Sequence, residues 1–323
     1  MSKSTRYFMA GSAAVMAVGL SIGLVSYYGG GFPGLQASTG PTELAYVPAD
    51  SAVIAYADVQ AIMTSELRQQ LKTAMPMHES GQQEFQEKTG IDIERDIDYV
   101  VAAMTPVGTS RPRGLVVARG RFDVVRLEGL AREHGGTVED YKGKRLITSP
   151  EHNGEQFTIA FLEPGLVAVG DASAVRHAID TQLTAQSITS NSEMMDLVKT
   201  IEVGNNAWAV GRVDVLTSQA KLPDEIAVRI PAVRLFAASG HINGGVSGTL
   251  RAEARDEVSA QQLRDVVRGF LALAQMQSQS DPKLAALAQS LQMSGDGTTV
   301  ALSFTLPAEL LQMAMPKPAI QVQ

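Results

Sequence analysis

The sequence predicts an α+β protein: two weakly duplicated units of antiparallel sheet with helices packed on one face, behind a single N-terminal membrane-spanning helix. Three observations carry this. Tyr7 to Tyr28 is an unbroken uncharged run, YFMAGSAAVMAVGLSIGLVSYY. The following chain alternates short apolar runs with Gly-, Asn- and Asp-marked turns and a few helical stretches. The order of those stretches repeats in the second half.

The N-terminal run meets the roughly 20 apolar residues that a helix needs to cross the hydrocarbon core. Tyr7 and Phe8 at one end, and Tyr27 and Tyr28 at the other, stand where headgroups lie. Lys3 and Arg6 precede the run, whereas Gly29 to Thr42 holds no charge. The positive-inside rule therefore keeps residues 1–6 cytoplasmic and places the body outside, on the inner membrane of a cell envelope. A signal peptide is the competing reading, but its apolar core is typically about 7 to 15 residues and ends at a small-x-small site. Ser26-Tyr27-Tyr28 makes a poor one. Gly19 and Gly23 form a GLSIG face on which two such helices could pair as a homodimer.

Residues 29–43 begin as GGGFPGLQASTGP, a flexible tether. The body is then divided into a first α+β unit over 44–190, a second over 191–316, and a tail over 317–323. Its composition fits export: the chain has no cysteine. Without Lys3 and Arg6, 25 Lys and Arg face 34 Asp and Glu, a formal charge of −9. Such a body repels phosphate backbones and anionic headgroups, so no nucleic-acid partner is expected.

Within the first unit, SAVIAYADV (51–59) reads as a strand. Helices follow over about 64–75 and 81–89, the second opened by Ser80 and Gln83 at capping-box spacing. A strand near Tyr99 to Met104, a turn at Arg111-Pro112-Arg113-Gly114, a strand over 115–121 and a helix over 123–134 come next. Turns at Lys142-Gly143 and Asn153-Gly154 mark two hairpins, and an extended run Phe157 to Val169 leads into a helix after Asp171.

The second unit repeats this order. Ala207 to Val215 matches the opening strand, and Arg234 to Ser239, Asn243-Gly244-Gly245 and Val246 to Arg255 match the central hairpin. Arg121, Asp123 and Leu130 find partners in Arg255, Asp256 and Leu263. The helix Ser259 to Gln279 carries an apolar stripe, Leu263, Val266, Val267, Phe270, Leu271 and Ala274, read as packing on its own sheet. A second helix starts at Asp281-Pro282, and the strand Thr298 to Thr305 leads into a short helix after Pro307.

The segments ELAYVPADSAVIAYADV, GIDIERDIDYVVAAM, GLVVARGRFDVVRLEGLA with YKGKRLIT, FLEPGLVAVGDASAVRHAID and DGTTVALSFTLPAELL resemble bacterial exported or membrane-anchored α+β proteins of unknown function. The resemblance covers most of the body. It implies an envelope-facing fold behind a signal or anchor, and it carries no catalytic residue across.

Chemistry-bearing patterns each meet a structural explanation. Asp92, Glu94, Asp96 and Asp98 would share one face of an extended segment and offer oxygens to calcium. The calcium-loop template fails at Ile97 and Ala103, which leaves a polar, capping lead-in to the next strand. Met75-Pro76-Met77-His78 offers two thioethers and an imidazole as copper(I) prefers, yet Pro76 also terminates a helix and methionine fills cores. His78, His134, His152, His177 and His241 lack zinc-site pairing. Ser218 and Lys221 fit S-x-x-K, the basis of a third-ranked hydrolase reading, but Lys88-Thr89-Gly90 precedes the serine where that family places it after. Gly143-Lys144 does not end a phosphate loop, because Val138 and Arg145 occupy its required positions. The sequence thus assigns no catalytic, cofactor or metal residue. It leads to a non-enzymatic interaction or scaffolding module with an envelope protein partner. The alternative is a carrier or sensor of an apolar ligand held between sheet and helices, signalled by a deep apolar cavity beneath Leu263 to Ala274.

Overall fold

A computed structural model describes residues 41–74, 86, 90–107, 110–150, 156–201, 203–213, 233–278 and 289–308. The chain is α+β with one large antiparallel sheet. The strands are β1 (Val53–Asp58), β2 (Ile97–Val107), β3 (Ser110–Gly120), β4 (Thr137–Tyr141), β5 (Lys144–Thr148), β6 (Thr158–Glu163), β7 (Leu166–Gly170), β8 (Ala207–Arg212), β9 (Val233–Ile242), β10 (Gly245–Ala254), β11 (Gln292–Ser294) and β12 (Thr299–Pro307). The helices are α1 (Val59–Met63), α2 (Glu66–Ala74), α3 (Ile93–Asp96), α4 (Val124–Glu133), α5 (Ala172–Thr184), α6 (Ser192–Lys199) and α7 (Glu257–Ser278), with 3-10 turns at Thr42–Tyr46 and Ile188–Ser190.

All strands join one sheet in the order β11-β12-β10-β9-β8-β1-β2-β3-β7-β6-β5-β4. Its centre is the antiparallel β1–β8 pair, in register from Val53↔Gly211 to Ala57↔Ala207. Outward from that pair the two arms read alike: β1, β2, β3, β7, β6 on one side and β8, β9, β10, β12, β11 on the other. The first arm adds the hairpin β4–β5. Helix α4 follows β3 as α7 follows β10, and each is capped by an aspartate. Asp123 accepts from the Arg126 N–H at 3.0 Å and Asp256 from the Ser259 N–H at 2.7 Å. The side chains seated beneath them correspond too, Leu127 and Ala260.

Turn chemistry sets the hairpins. Lys142 and Gly143 both have positive φ, 51° and 77°, as a two-residue hairpin turn between right-twisted strands requires. Pro164-Gly165, with Gly165 at φ 72°, folds the stretch Phe157 to Val169, expected as one extended run, into the β6–β7 hairpin. The expected turn at Arg111 to Gly114 is likewise strand: Gly114 pairs with Met104 and Arg113 with Thr105. Pro and Gly near a chain reversal suggested the reversal four residues late.

Helices cover both faces of the first arm, not one. On the first face, Ile54, Val101, Val117, Leu146, Leu162 and Trp208 pack under the N-terminal 3-10 turn, the Ile188–Ser190 turn, α5 and α6. On the second, Ile62 of α1 meets Ala57, Val100 and Ala207, while Leu127 of α4 meets Ile147 and Phe161. The reason lies in strands such as VIAYA, apolar at both parities. Each fully buried Leu or Ile contributes about 1.5–3 kcal/mol, so two covered faces are a large gain.

Beyond β9 the faces change character. The side carrying Leu235 and Ala237 continues as Arg251, Thr249 and Ser247 on β10 and as Ser303 and Thr305 on β12. The Thr249 and Ser303 hydroxyls bond across it at 2.9 Å. The opposite side carries Phe236, Ala238, Leu250, Leu302, Phe304 and Leu306. Helix α7 seats on one end of it through Ala260 and Leu263 against Ala254 and Val300.

Candidate functional site

Glu43 is the first charge after Arg6, and its side chain is 0% exposed. It belongs to TELAY, a 3-10 turn that buries Leu44 and Tyr46, with Val47 buried behind it. Burying the apolar neighbours forces Glu43 under as well, and a buried carboxylate must be paired. Its partners come from strand positions in phase with the core. Arg119 lies two residues beyond buried Val117 on β3, and Tyr99 lies opposite Arg119 on β2.

Glu43 Oε1 accepts from Tyr99 Oη at 2.8 Å, from Arg119 Nε at 2.7 Å and from Arg119 Nη2 at 2.6 Å. Oε2 accepts from Thr42 Oγ1 at 3.2 Å. Arg119 Nε also donates to Tyr99 Oη at 2.9 Å, and Nη2 lies 3.8 Å from Glu163 Oε2. Tyr46 Oη donates to the other Glu163 oxygen at 2.8 Å. Beside the cluster, Tyr56 stacks on Trp208 with centroids 5.8 Å apart and tilts against Tyr99 at 5.9 Å. The backbone completes the clamp: Ile188 N–H donates to Val47 O at 2.7 Å, Ala49 N–H to Gln186 O at 3.3 Å, and Asn191 Nδ2 to Ala49 O at 3.0 Å. The chain leaving the N-terminal segment is thus stitched to the connector between the two arms.

The electrostatics hold every phenol neutral. Burial, then the hydrogen bond to Glu43 and its charge, pushes the Tyr99 phenol up to about 12. Burial raises Tyr46 and Tyr56 further, with Glu163 adding to the shift at Tyr46 and Asp58 at Tyr56. Burial by itself would lower Arg119, but the bonds to Glu43 outweigh it and keep the guanidinium charged. Burial raises Asp98 against the pull of Arg121 and Arg119. The Tyr99 and Tyr46 hydroxyls stay protonated and donate to Glu43 and Glu163, and the cluster ties the N-terminal turn to β2 and β3.

The residues singled out by sequence disperse. Asp92 to Asp98 do not line one extended face: α3 and its cap intervene. Asp92 accepts from the Glu94 N–H at 3.0 Å, Asp96 Oδ2 from the Asp92 N–H at 2.8 Å, and Glu94 pairs with Arg68 at 2.8 Å. Arg121 bridges from Asp96 to the Arg95 carbonyl. His134 Nδ1 meets the Leu130 carbonyl at 2.8 Å and His241 Nδ1 that of Gly204 at 2.7 Å, both exposed. Among the described residues no group of three or more His, Cys, Asp or Glu could hold a metal ion. No helix among them is long and apolar enough to cross a membrane. Tyr7 to Tyr28 with Gly19 and Gly23, the stretch Met75 to His78, Ser80, Gln83, Lys88, Thr89, His152, Asn153-Gly154, Ser218, Lys221 and Asp281-Pro282 lie outside the described residues.

Around α7, a depression of about 540 Å³ lies on the polar face, lined by Glu257, Val258, Gln261, Gln262, Arg264, Asp265 and Gly297. It is not the deep apolar cavity that would signal the carrier reading.

Sequence reasoning missed the Glu43–Arg119 clamp. Two signals pointed to it: a lone charge closing a 36-residue uncharged stretch, and an arginine at inward parity in the strand LVVARG. Nothing local pairs positions 76 residues apart.

No family model matches the chain, and no curated protein matches it. A solved structure described as crystal form I of TP0453 is similar in outline, with a TM-score of 0.44 and 13% identity over 86% of this chain and 97% of that one.

Proposed function

We propose that this is a membrane-tethered, non-enzymatic interaction module of the cell envelope. Residues 7–28 hold it in the inner membrane with the N-terminus inside, and the body acts outside on an envelope protein partner. The observation that carries this reading is the clamp at Glu43. It fastens the segment that follows the tether to Arg119, Tyr99 and the connector between the arms, so the body is held firmly where the anchor reaches it. Pairing of two anchors through Gly19 and Gly23 would bring two bodies together.

Crosslinking in intact cells, followed by purification of the tagged full chain from membranes, tests the reading. Recovery of a defined envelope protein supports it. A chain found in the soluble fraction, or recovered only with itself, contradicts the tether or the partner respectively.

A second reading, an apolar-ligand carrier, draws on the apolar side of the second arm at Phe236, Leu250, Leu302 and Phe304. Co-purified lipid, identified by mass spectrometry in stoichiometric amount, would favour it over the first.

A further inference from the structure

Asparagine is a chemically labile residue, most of all where glycine follows it, and two such pairs occur here, at Asn153 and Asn243. Elsewhere among the described residues the side-chain amide is held. Asn191 accepts from the Met194 N–H at 3.2 Å while its Nδ2 donates to the Ala49 carbonyl at 3.0 Å. Asn206 is buried and grips the Ile242 backbone from both ends of its amide, at 2.7 and 2.9 Å.

Asn243 is different. It lies exposed in the turn between β9 and β10, and its carboxamide makes no hydrogen bond among the described residues. Its main chain is fixed: the N–H donates to the Gly245 carbonyl at 3.1 Å, and the carbonyl accepts from the Leu67 N–H at 2.6 Å. Gly244 is exposed too, its N–H has no partner among the described residues, and it lacks the side chain that would crowd that N–H. The electrophile and the nucleophile of a ring closure therefore stand side by side, both open to water.

We propose that Asn243 is a site of spontaneous deamidation and isomerisation, and that its modification loosens the docking of α2. The Gly244 nitrogen bonds to Asn243 Cγ as it gives its proton to hydroxide. The Cγ–Nδ2 bond breaks, and ammonia leaves with a proton from water. Water then opens the succinimide at either carbonyl, which yields an aspartate or an isoaspartate whose backbone runs through the side chain. A water is consumed and an ammonia released, with no change of oxidation state. The isoaspartate backbone is longer by a methylene, which displaces the Asn243 carbonyl from Leu67 and the Gly244 carbonyl from the Ala308 N–H, now 3.3 Å away. The new carboxylate also arises near another: a Cβ on Gly244 would stand 3.1 Å from Glu66 Oε2, so like charges oppose each other there. This inference uses the fold alone and is independent of the tethered reading.

The test is incubation of the folded full chain in detergent at neutral and mildly alkaline pH, then tryptic mapping of the peptide Leu235 to Arg251, in which Asn243 is the sole asparagine. The expected result is a gain of the mass that separates an acid from an amide, faster at the higher pH. It should appear as two chromatographic forms, one of them a substrate for isoaspartate methyltransferase. Gly244→Ala is accommodated, because its methyl group meets only the movable end of Glu66, and it should slow the gain about fivefold, glycine's backbone freedom of about 1 kcal/mol converted to a rate. Modified chain separated by anion exchange should exchange the Leu67 amide hydrogen faster than the parent. A folded chain that keeps its amide while the urea-unfolded chain loses it overturns the proposal, since the turn then withholds the attack. Conversion to aspartate alone, unaffected by Gly244→Ala, also overturns it, because direct hydrolysis needs no glycine. Unchanged exchange at Leu67 overturns the link to α2.

Discussion

Replacing Glu43 by Ala removes the acceptor of three hydrogen bonds of 2.6–2.8 Å from Arg119 and Tyr99. Breaking a buried pair by deleting one partner costs about 3–5 kcal/mol, because the remaining charge is left uncompensated. Here the remaining partner is Arg119, whose side chain keeps 30% exposure and lies 3.8 Å from Glu163, so water and a second carboxylate relieve part of that charge. The lower end applies, about 3 kcal/mol. For a body of this size that lowers the thermal midpoint by about 6–12 °C. Glu43→Gln keeps the shape and most of the acceptor geometry, and should lose less. The assay is urea unfolding of the full chain in detergent, run on Glu43→Ala, Arg119→Ala and the double variant. The double variant should be more stable than the summed single losses imply, by about 1.5–3 kcal/mol. A Glu43→Ala loss below about 0.5 kcal/mol, or strict additivity, would refute the clamp.

Three further outcomes follow from the same physics. The folded-state values of Tyr46, Tyr56 and Tyr99 all lie above the ordinary 10.0, so their stability is fully present below pH 10 and is lost as pH rises toward the folded values. Each contributes a slope of at most about 1.4 kcal/mol per pH unit; Tyr99→Phe should flatten the fall in urea midpoint above pH 10, and an unchanged profile would count against the assignment. Asp171 receives both the Ser173 and Ala174 N–H groups at 2.9 Å, so Asp171→Ala should destabilise α5 by about 1 kcal/mol while Asp171→Ser recovers most of it, read by circular dichroism melts. Gly120→Ala should prevent soluble expression, because its methyl group would strike the Asp96 carbonyl, whereas Gly143→Ala meets no neighbouring atom and costs only about 1 kcal/mol for its positive φ.

Local signals were legible where the backbone itself demands a residue type. The helices that follow Asp123 and Asp171 and the turn Lys142-Gly143 fall where the sequence put them. The α+β class and a large antiparallel sheet were legible from the short apolar runs and their turns. That β1 and β8 would join the arms into one sheet was not legible, because strand pairing across some 150 residues leaves no mark in either strand. Helices on both faces follow from strands apolar at both parities, a pattern that short apolar runs share with one-sided packing. The acidic run Asp92 to Asp98 was legible as a capping lead-in to a strand, because Asp92 and Asp96 bond nearby N–H groups just before β2 begins. Glu43 and Arg119 each stood out as a charge in apolar company, yet only the folded sheet makes them partners.

We propose a body outside the membrane, held through residues 7–28. Protease treatment of right-side-out spheroplasts carrying a C-terminally tagged full chain tests it most directly. The expected result is that the tag is digested from outside, that the undigested chain keeps its full length, and that carbonate leaves it in the membrane pellet. A tag protected until lysis, or a mature chain shortened by about thirty residues and released in soluble form, would contradict it.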